Sequence, residues 1–394
     1  MKNAVLGLGG TVDYEVTWDD PTVQALAEAY GIAADELDRL LPIDSERDLV
    51  RTVLAFLRDG GGGERYVASS AVVERFAARF DTRITLGGTC VRAAIAMAKL
   101  DLPSTVHLVS IDDHVRRLLP ADVAYVCSAE RDSTDPHLIV QYPAGATVKL
   151  GPDLLRAPRP NRLIYTNDPP NAELLLSEQL GAVLAEADVF LVSGFNTIRD
   201  ADMLAERLDD LRRHMRRLPA GALVVYEDAG FHVPALSALV RERLLDAVDL
   251  YGMNEDEMQA YVGQQVDLLD APAMVGHLRA LHQLVPARTL LVHSGCWALT
   301  YGPRSREWRN ALRGGVTMAG ARYALGDDFT AVDYDVVGAG PVNAAGARFA
   351  AELEALLGDE VCVVPALDLD VPRPTTIGLG DTFVGGLIAA VVRG

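Results

Sequence analysis

Short apolar, β-branched runs alternate with longer stretches of helical periodicity along most of this chain. Buried strands are expected at Ala4-Val5-Leu6-Gly7, Ser104 to Val109, Val189 to Val192, Leu223 to Tyr226, Asp249 to Gly252 and Thr289 to His293. Helical patterns fill the intervals at Leu174 to Glu186, Asp202 to Leu218, Pro234 to Asp246, Glu255 to Val262 and Met274 to Leu284. A repeated strand–helix rhythm predicts an α/β fold built on a mainly parallel sheet.

Two stretches break the rhythm. Residues from about Glu15 to Arg83 hold polar helical segments and the tetraglycine Gly60 to Gly63, and Tyr125 to Asn167 carries the strand-like runs His137 to Tyr142 and Arg162 to Tyr165. Structureless loops of such length are uncommon in compact domains. The chain is therefore expected to divide into a core of 1–14, 84–124 and 168–394 and a smaller discontinuous lid of 15–83 and 125–167. The tetraglycine lacks a following Gly-Lys-Ser/Thr, so it reads as a mobile turn rather than a P-loop.

Composition narrows the partners. Among 394 residues, 36 Lys plus Arg stand against 55 Asp plus Glu, a formal charge of −19 that opposes nucleic acid and anionic lipid as partners. An anionic small substrate then needs a local basic pocket or a metal ion. Cys90, Cys127, Cys296 and Cys362 are widely spaced, which suggests buried thiols of a reducing cytosol. No run approaches the length of a membrane span or a signal peptide, so a cytoplasmic location is expected. The pattern specifies no oligomeric state.

The candidate chemistry concentrates at the end of the chain, in Gly378-Leu379-Gly380-Asp381 followed by the apolar stretch Leu387 to Val392. Glycines there let a ligand approach the backbone, and a helix opening at Asp381 would offer unpaired N–H groups to a phosphate or a developing oxyanion. A carboxylate at that position suits a general base acting on an attacking hydroxyl. An Asp N-cap after a glycine turn accounts for the same residues without chemistry.

Other features carry similar alternatives. Gly7-Leu8-Gly9-Gly10-Thr11-Val12-Asp13 follows a strand but has Val12 where a dinucleotide fingerprint needs glycine. Asp13 either binds ligand hydroxyls at the strand ends or stabilises its own turn. Gly87-Gly88-Thr89-Cys90-Val91-Arg92 is a glycine turn feeding a helix of small residues. Glu227-Asp228 ends one strand and Asn254-Glu255-Asp256-Glu257 follows the next. Glu227, Asn254 and Glu257 could organise a hydrated Mg2+, while Asn254 could equally be an N-cap followed by first-turn acids.

Taken in order, Asp13, Gly87-Gly88, Ser193-Gly194-Phe195, Glu227, Asn254-x-x-Glu257 and Gly378-Leu379-Gly380-Asp381 resemble the ribokinase-like sugar kinases, specifically their ADP-dependent glucokinase and phosphofructokinase branch. The resemblance spans most of the chain and also draws on His293-Ser294 and Gly315 to Ala321. It implies a ribokinase-like three-layer α/β core with a lid that closes over a sugar, and phosphoryl transfer from a nucleotide, ADP in this branch, to a sugar or sugar phosphate. It carries the base to Asp381, the anion hole to Gly378, Leu379 and Gly380, sugar binding to Asp13, Gly87 and Gly88, and metal organisation to Glu227, Asn254 and Glu257. Nucleotide contacts fall on His293, Ser294, Val316, Ala319 and Gly320.

Two departures stand out. Val225 occupies the histidine position of the family's His-x-Glu, and Thr89 replaces the usual Gln or Asn after the glycines. Thr89 and Arg92 are thus expected to alter sugar recognition, with Arg92 either pairing with a sugar phosphate or lying at the surface as a plain charge. An ATP-dependent kinase of the same fold and a catalytically weak sugar- or nucleotide-binding protein are the competing readings. The acceptor stays open among glucose, fructose 6-phosphate and a nucleoside.

Overall fold

The computed structural model describes residues 2–371 and 374–394. Nine strands form one sheet in the order Val361–Pro365, Trp297–Tyr301, Leu290–His293, Leu250–Asn254, Leu223–Glu227, Val189–Val192, Ala4–Leu6, Ser104–Leu108, Val123–Cys127. All neighbours from Leu290–His293 onward pair in parallel, and Trp297–Tyr301 runs antiparallel to both of its neighbours. The fold is thus α/β with a mainly parallel central sheet.

Alternation along the strands explains why both faces are covered. Val5, Phe190, Val192, Val224, Tyr251 and Val292 pack into one apolar layer, and their neighbours Leu6, Leu191, Val225, Leu250 and Leu291 pack into the other. A strand buried on both sides reads as a continuous apolar run, which is why these strands were legible. The second layer contains the long helix Arg309–Leu325 and the last helix, Leu379–Arg393, packed closely enough that a Cβ at Gly314 would meet the backbone of Gly386.

A second sheet has the order Gly63–Tyr66, Asn161–Thr166, His137–Tyr142, Thr11–Thr17, Thr82–Gly87. One face packs on the helices Asp20–Ala29, Glu46–Asp59 and Ser70–Ala77 through Val16, Leu138, Val140, Leu163 and Tyr165. The other face carries Asp13, Glu15, Thr85 and His137, because residues two apart share a side and the register sets Asp13 against both Thr85 and His137. The strands Thr11–Thr17 and Thr82–Gly87 cross the expected limits at 14/15 and 83/84, and Val123–Cys127, which crosses 124/125, belongs to the large sheet.

Several elements differ from expectation. The stretch from Leu174 to Glu186 is not one helix: Leu174 takes a left-handed conformation (φ 46°) that ends Pro169–Glu173, and helix resumes only at Leu180–Leu184. Gly60 caps Glu46–Asp59 in the left-handed region and Gly63 opens a paired strand, so the tetraglycine joins two ordered elements. Among the described residues, no helix is long and apolar enough to cross a membrane.

Candidate active site

The last helix starts at Leu379, with Gly378 as its N-cap in the left-handed region (φ 64°). Asp381 is therefore the third residue of the first turn rather than the cap, and the helix opens two residues before it. Thr89 Oγ1 donates to Asp381 Oδ1 at 2.8 Å, which fixes the carboxylate while leaving its side chain 28% exposed toward the cleft. Thr382 Oγ1 donates back to Gly378 O, so the cap geometry is held from within the helix.

Arg92 lies directly under this turn. Its Nη2 donates to Asp13 Oδ2 at 2.9 Å, its Nε lies 3.9 Å from Asp381 Oδ2, and it is only 5% exposed. Asp13 also accepts from Thr11 Oγ1 at 2.7 Å. The surface-charge reading of Arg92 is therefore incorrect, and its Nη2 is committed to a protein carboxylate. Burial works against the guanidinium, but Asp13 and Asp381 outweigh it and hold the Arg92 pKa above its ordinary value. Gly87 leaves room for the Asp13 carboxylate and the Thr11 hydroxyl, which a Cβ there would overlap.

A carboxylate–imidazole pair stands at the ends of neighbouring strands. His293 Nε2 lies 2.7 Å from Glu227 Oε1 although one strand separates them. Gly252 makes this possible: it is the residue of the intervening strand opposite Glu227, and a Cβ there would collide with Glu227 Oε2. Val225 is buried in the core, and the imidazole that meets Glu227 comes from the strand Leu290–His293. Burial raises the Glu227 carboxyl; for His293, burial opposes the cation but Glu227 outweighs it and holds the imidazole pKa above its ordinary value. His293 also stacks on Phe383, with ring centroids 4.7 Å apart.

Asn254 and Glu257 form a reciprocal capping box. Asn254 Oδ1 accepts from the N–H groups of Asp256 (2.8 Å) and Glu257 (2.9 Å), and Glu257 Oε2 accepts from Asn254 N at 2.8 Å. This corrects the expectation for Asn254, whose side-chain oxygen is spent on the helix start. Among the described residues, no three His, Cys, Asp or Glu side chains converge to ligate an ion directly. Glu227 Oε2 is nevertheless buried without a hydrogen-bond partner among the described residues, and Glu257 is pushed up to about 8 by burial first and by Glu227 and Asp228 beside it. A strained acidic pair of this kind fits a hydrated cation held through water, the mode magnesium prefers.

The five expected nucleotide contacts meet in one place. His293, Ser294, Val316, Ala319 and Gly320 all line a cavity of about 610 Å3, which Leu379 and Gly380 close at the helix start. That volume lies within the range of small-molecule sites. Asp381 and Arg92 stand at the other side of the same turn, toward Asp13.

Sequence reasoning missed a third group facing the small sheet. His137 Nε2 lies 2.9 Å from Asp168 Oδ2, and Asn171 bonds Asp168 and both backbone groups of Gly10. Glu64 and Tyr66 approach His232, with Tyr66 Oη 2.5 Å from His232 Nδ1. The Asn167-Asp168-Pro169-Pro170-Asn171 run was a usable helix-start signal; the register that sets His137 beside Asp13 left none.

A family model described as the ADP-specific phosphofructokinase/glucokinase conserved region matches residues 2–282. The bovine (Bos taurus) ADP-dependent glucokinase is 24% identical over 269 residues, 65% of this chain and 52% of that protein. The chain spans about half the length of the curated relatives it matches. A hypothetical ADP-dependent phosphofructokinase from Pyrococcus horikoshii OT3 shares the fold with a TM-score of 0.80 at 20% identity, covering 100% of this chain and 98% of that one. An ADP-dependent kinase solved with fructose 6-phosphate and ADPβS gives 0.72 at 15% identity, covering 99% and 93%. With most of its length under that family model, the chain belongs to the ADP-specific phosphofructokinase/glucokinase family.

Proposed function

We propose that this protein transfers a phosphoryl group from ADP to a hydroxyl of a sugar or sugar phosphate. The observation that carries the reading is the helix start at Gly378 to Asp381, with a nucleotide-sized cavity on one side and Asp13, Arg92 and Thr89 on the other. The acceptor class is glucose or fructose 6-phosphate; the solved kinase with fructose 6-phosphate and ADPβS is a relative in fold.

Asp381 takes the hydroxyl proton as the acceptor oxygen bonds to the β-phosphorus, the bond from that phosphorus to the bridging oxygen breaks, and AMP leaves. Thr89 orients the Asp381 carboxylate, and the first N–H groups of the helix face the charge spread over the moving group. Asp13, held by Arg92 and Thr11, binds sugar hydroxyls with Gly88 beside it. Glu227 and Glu257 would hold a hydrated Mg2+, which neutralises phosphate charge when bound. Closure of the small sheet over the acceptor excludes water as a rival acceptor.

Thr89 on Asp381 argues against a weak binding protein, since the residue that departs from the family pattern holds the proposed base. The four unpaired cysteines accord with a reducing cytosol and a role in carbohydrate metabolism such as glycolysis. A matrix of ADP and ATP against glucose, fructose 6-phosphate and nucleosides tests the proposal: turnover with ADP and release of AMP is expected. Turnover with ATP alone, or tight ligand binding without transfer from either donor, overturns it.

A further inference from the structure

A second cavity, of about 420 Å3, opens where the edge strand Thr82–Gly87 of the small sheet meets the helices of the large one. Its wall carries Arg83, Lys99 and Arg322 with the carboxylate of Asp327, together with Arg92, whose charge is already answered by Asp13. In a chain of formal charge −19, that is a local reversal of sign.

The cations are incompletely compensated. Arg322 is 5% exposed, donates from Nε to Ile377 O at 3.0 Å and reaches Asp327 through Nη1. Asp327 also serves Arg83, whose Nη2 lies 2.7 Å away, so one carboxylate answers two guanidinium groups. Lys99 Nζ sits 5.5 Å over the Phe329 ring. Burial first, then the positive Arg92, press the Arg322 pKa down to about 10, with Arg83 adding to the effect and the Glu15 and Asp381 carboxylates opposing it. The remaining wall is largely apolar, including Ile84 and Ile95.

We propose that this cleft is a second anion site that takes a small phosphate monoester, its phosphoryl group among Arg83, Lys99 and Arg322 and its apolar body against Ile84, Ile95 and Phe329. Charge-assisted hydrogen bonds to phosphate are the strong class, and guanidinium groups suit them best. The site is separate from the nucleotide cavity, with which it shares no lining residue. It abuts the same helix, since Thr382 faces this cleft while Leu379, Gly380 and Phe383 face the other. Arg83 comes from the small sheet, and Lys99 and Arg322 from helices of the large one, so an occupant ties the two together. The inference stands independently of the kinase reading.

The test is calorimetric titration of the full chain with phenyl phosphate and, separately, inorganic phosphate, each with and without saturating ADP. One site is expected, tighter for phenyl phosphate, persisting with ADP bound and weakened about tenfold by either Arg83→Ala or Lys99→Ala. Lys99→Glu is expected to abolish it. Both positions are partly exposed, so an unchanged melting temperature certifies the fold. Binding unaffected by these substitutions, displaced by ADP, or absent at millimolar probe overturns the proposal.

Discussion

Arg92 Nη2 donates to Asp13 Oδ2 at 2.9 Å, with the two side chains only 5% and 7% exposed, and this buried ion pair ties the helix after Gly88 to the first strand of the small sheet. Removing one partner of such a pair strands the other charge. Arg92→Met should therefore destabilise the protein by about 3–5 kcal/mol. Arg92→Met in an Asp13→Asn background should cost clearly less than the sum of the two single changes, read as a double-mutant cycle in denaturant titrations. Additive losses would mean that the pair is not a coupled unit.

Asp381 is held by Thr89 and is otherwise turned to the cleft, so replacing it with Asn preserves the hydrogen bond from Thr89 while removing the proton acceptor. Asp381→Asn should lower kcat by roughly 10²–10⁴-fold and leave ADP affinity within about threefold. Steady-state rates and calorimetry on the same preparation separate the two effects. Retention of more than about a tenth of the rate removes Asp381 as the base.

Legibility divided along physical lines. The buried parallel strands and the glycine-flanked Asp381 announce themselves locally, because a two-sided strand is apolar throughout and a helix start needs particular small residues. The partners do not. The resemblance marks His293 only as a nucleotide contact, and its contact with Glu227 depends on Gly252 leaving space in the strand between them. Asp13 and His137 are 124 positions apart and meet only through a parallel register that no local pattern encodes. The Leu174 to Glu186 run kept helical spacing while Leu174 itself turned left-handed, so periodicity there described burial and not backbone.

Glu257 gives the stability a pH dependence of definite sign. An acid whose pKa is about 8 when folded and about 4.3 when unfolded keeps its proton longer in the native state. Stability is then lost as pH rises between those values. Glu257→Gln, which can still accept from Asn254 N, should match the wild type near the lower limit. At the upper limit it should exceed it by about 1–3 kcal/mol, a figure discounted because the side chain is partly exposed. Thermal unfolding across that range in metal-free buffer reads the difference. A gap independent of pH would mean that Glu257 titrates normally.

Gly378 separates two costs that are usually mixed. Its φ of 64° lies in the left-handed region, where any other residue pays about 1 kcal/mol, and a Cβ there would also stand 2.7 Å from Arg92 Cδ. Gly145 has a comparable φ of 83° but only Arg156 Nη1, at 3.8 Å, near its would-be Cβ. Gly145→Ala should therefore show the conformational cost alone. Gly378→Ala should cost about 1–3 kcal/mol more and, by pushing Arg92 away from Asp13 and Asp381, should also cut kcat at least tenfold. Chemical denaturation and turnover of the two variants decide the matter. Equal stability losses with unchanged turnover would show that the turn tolerates a side chain and that Arg92 does not depend on the space Gly378 leaves.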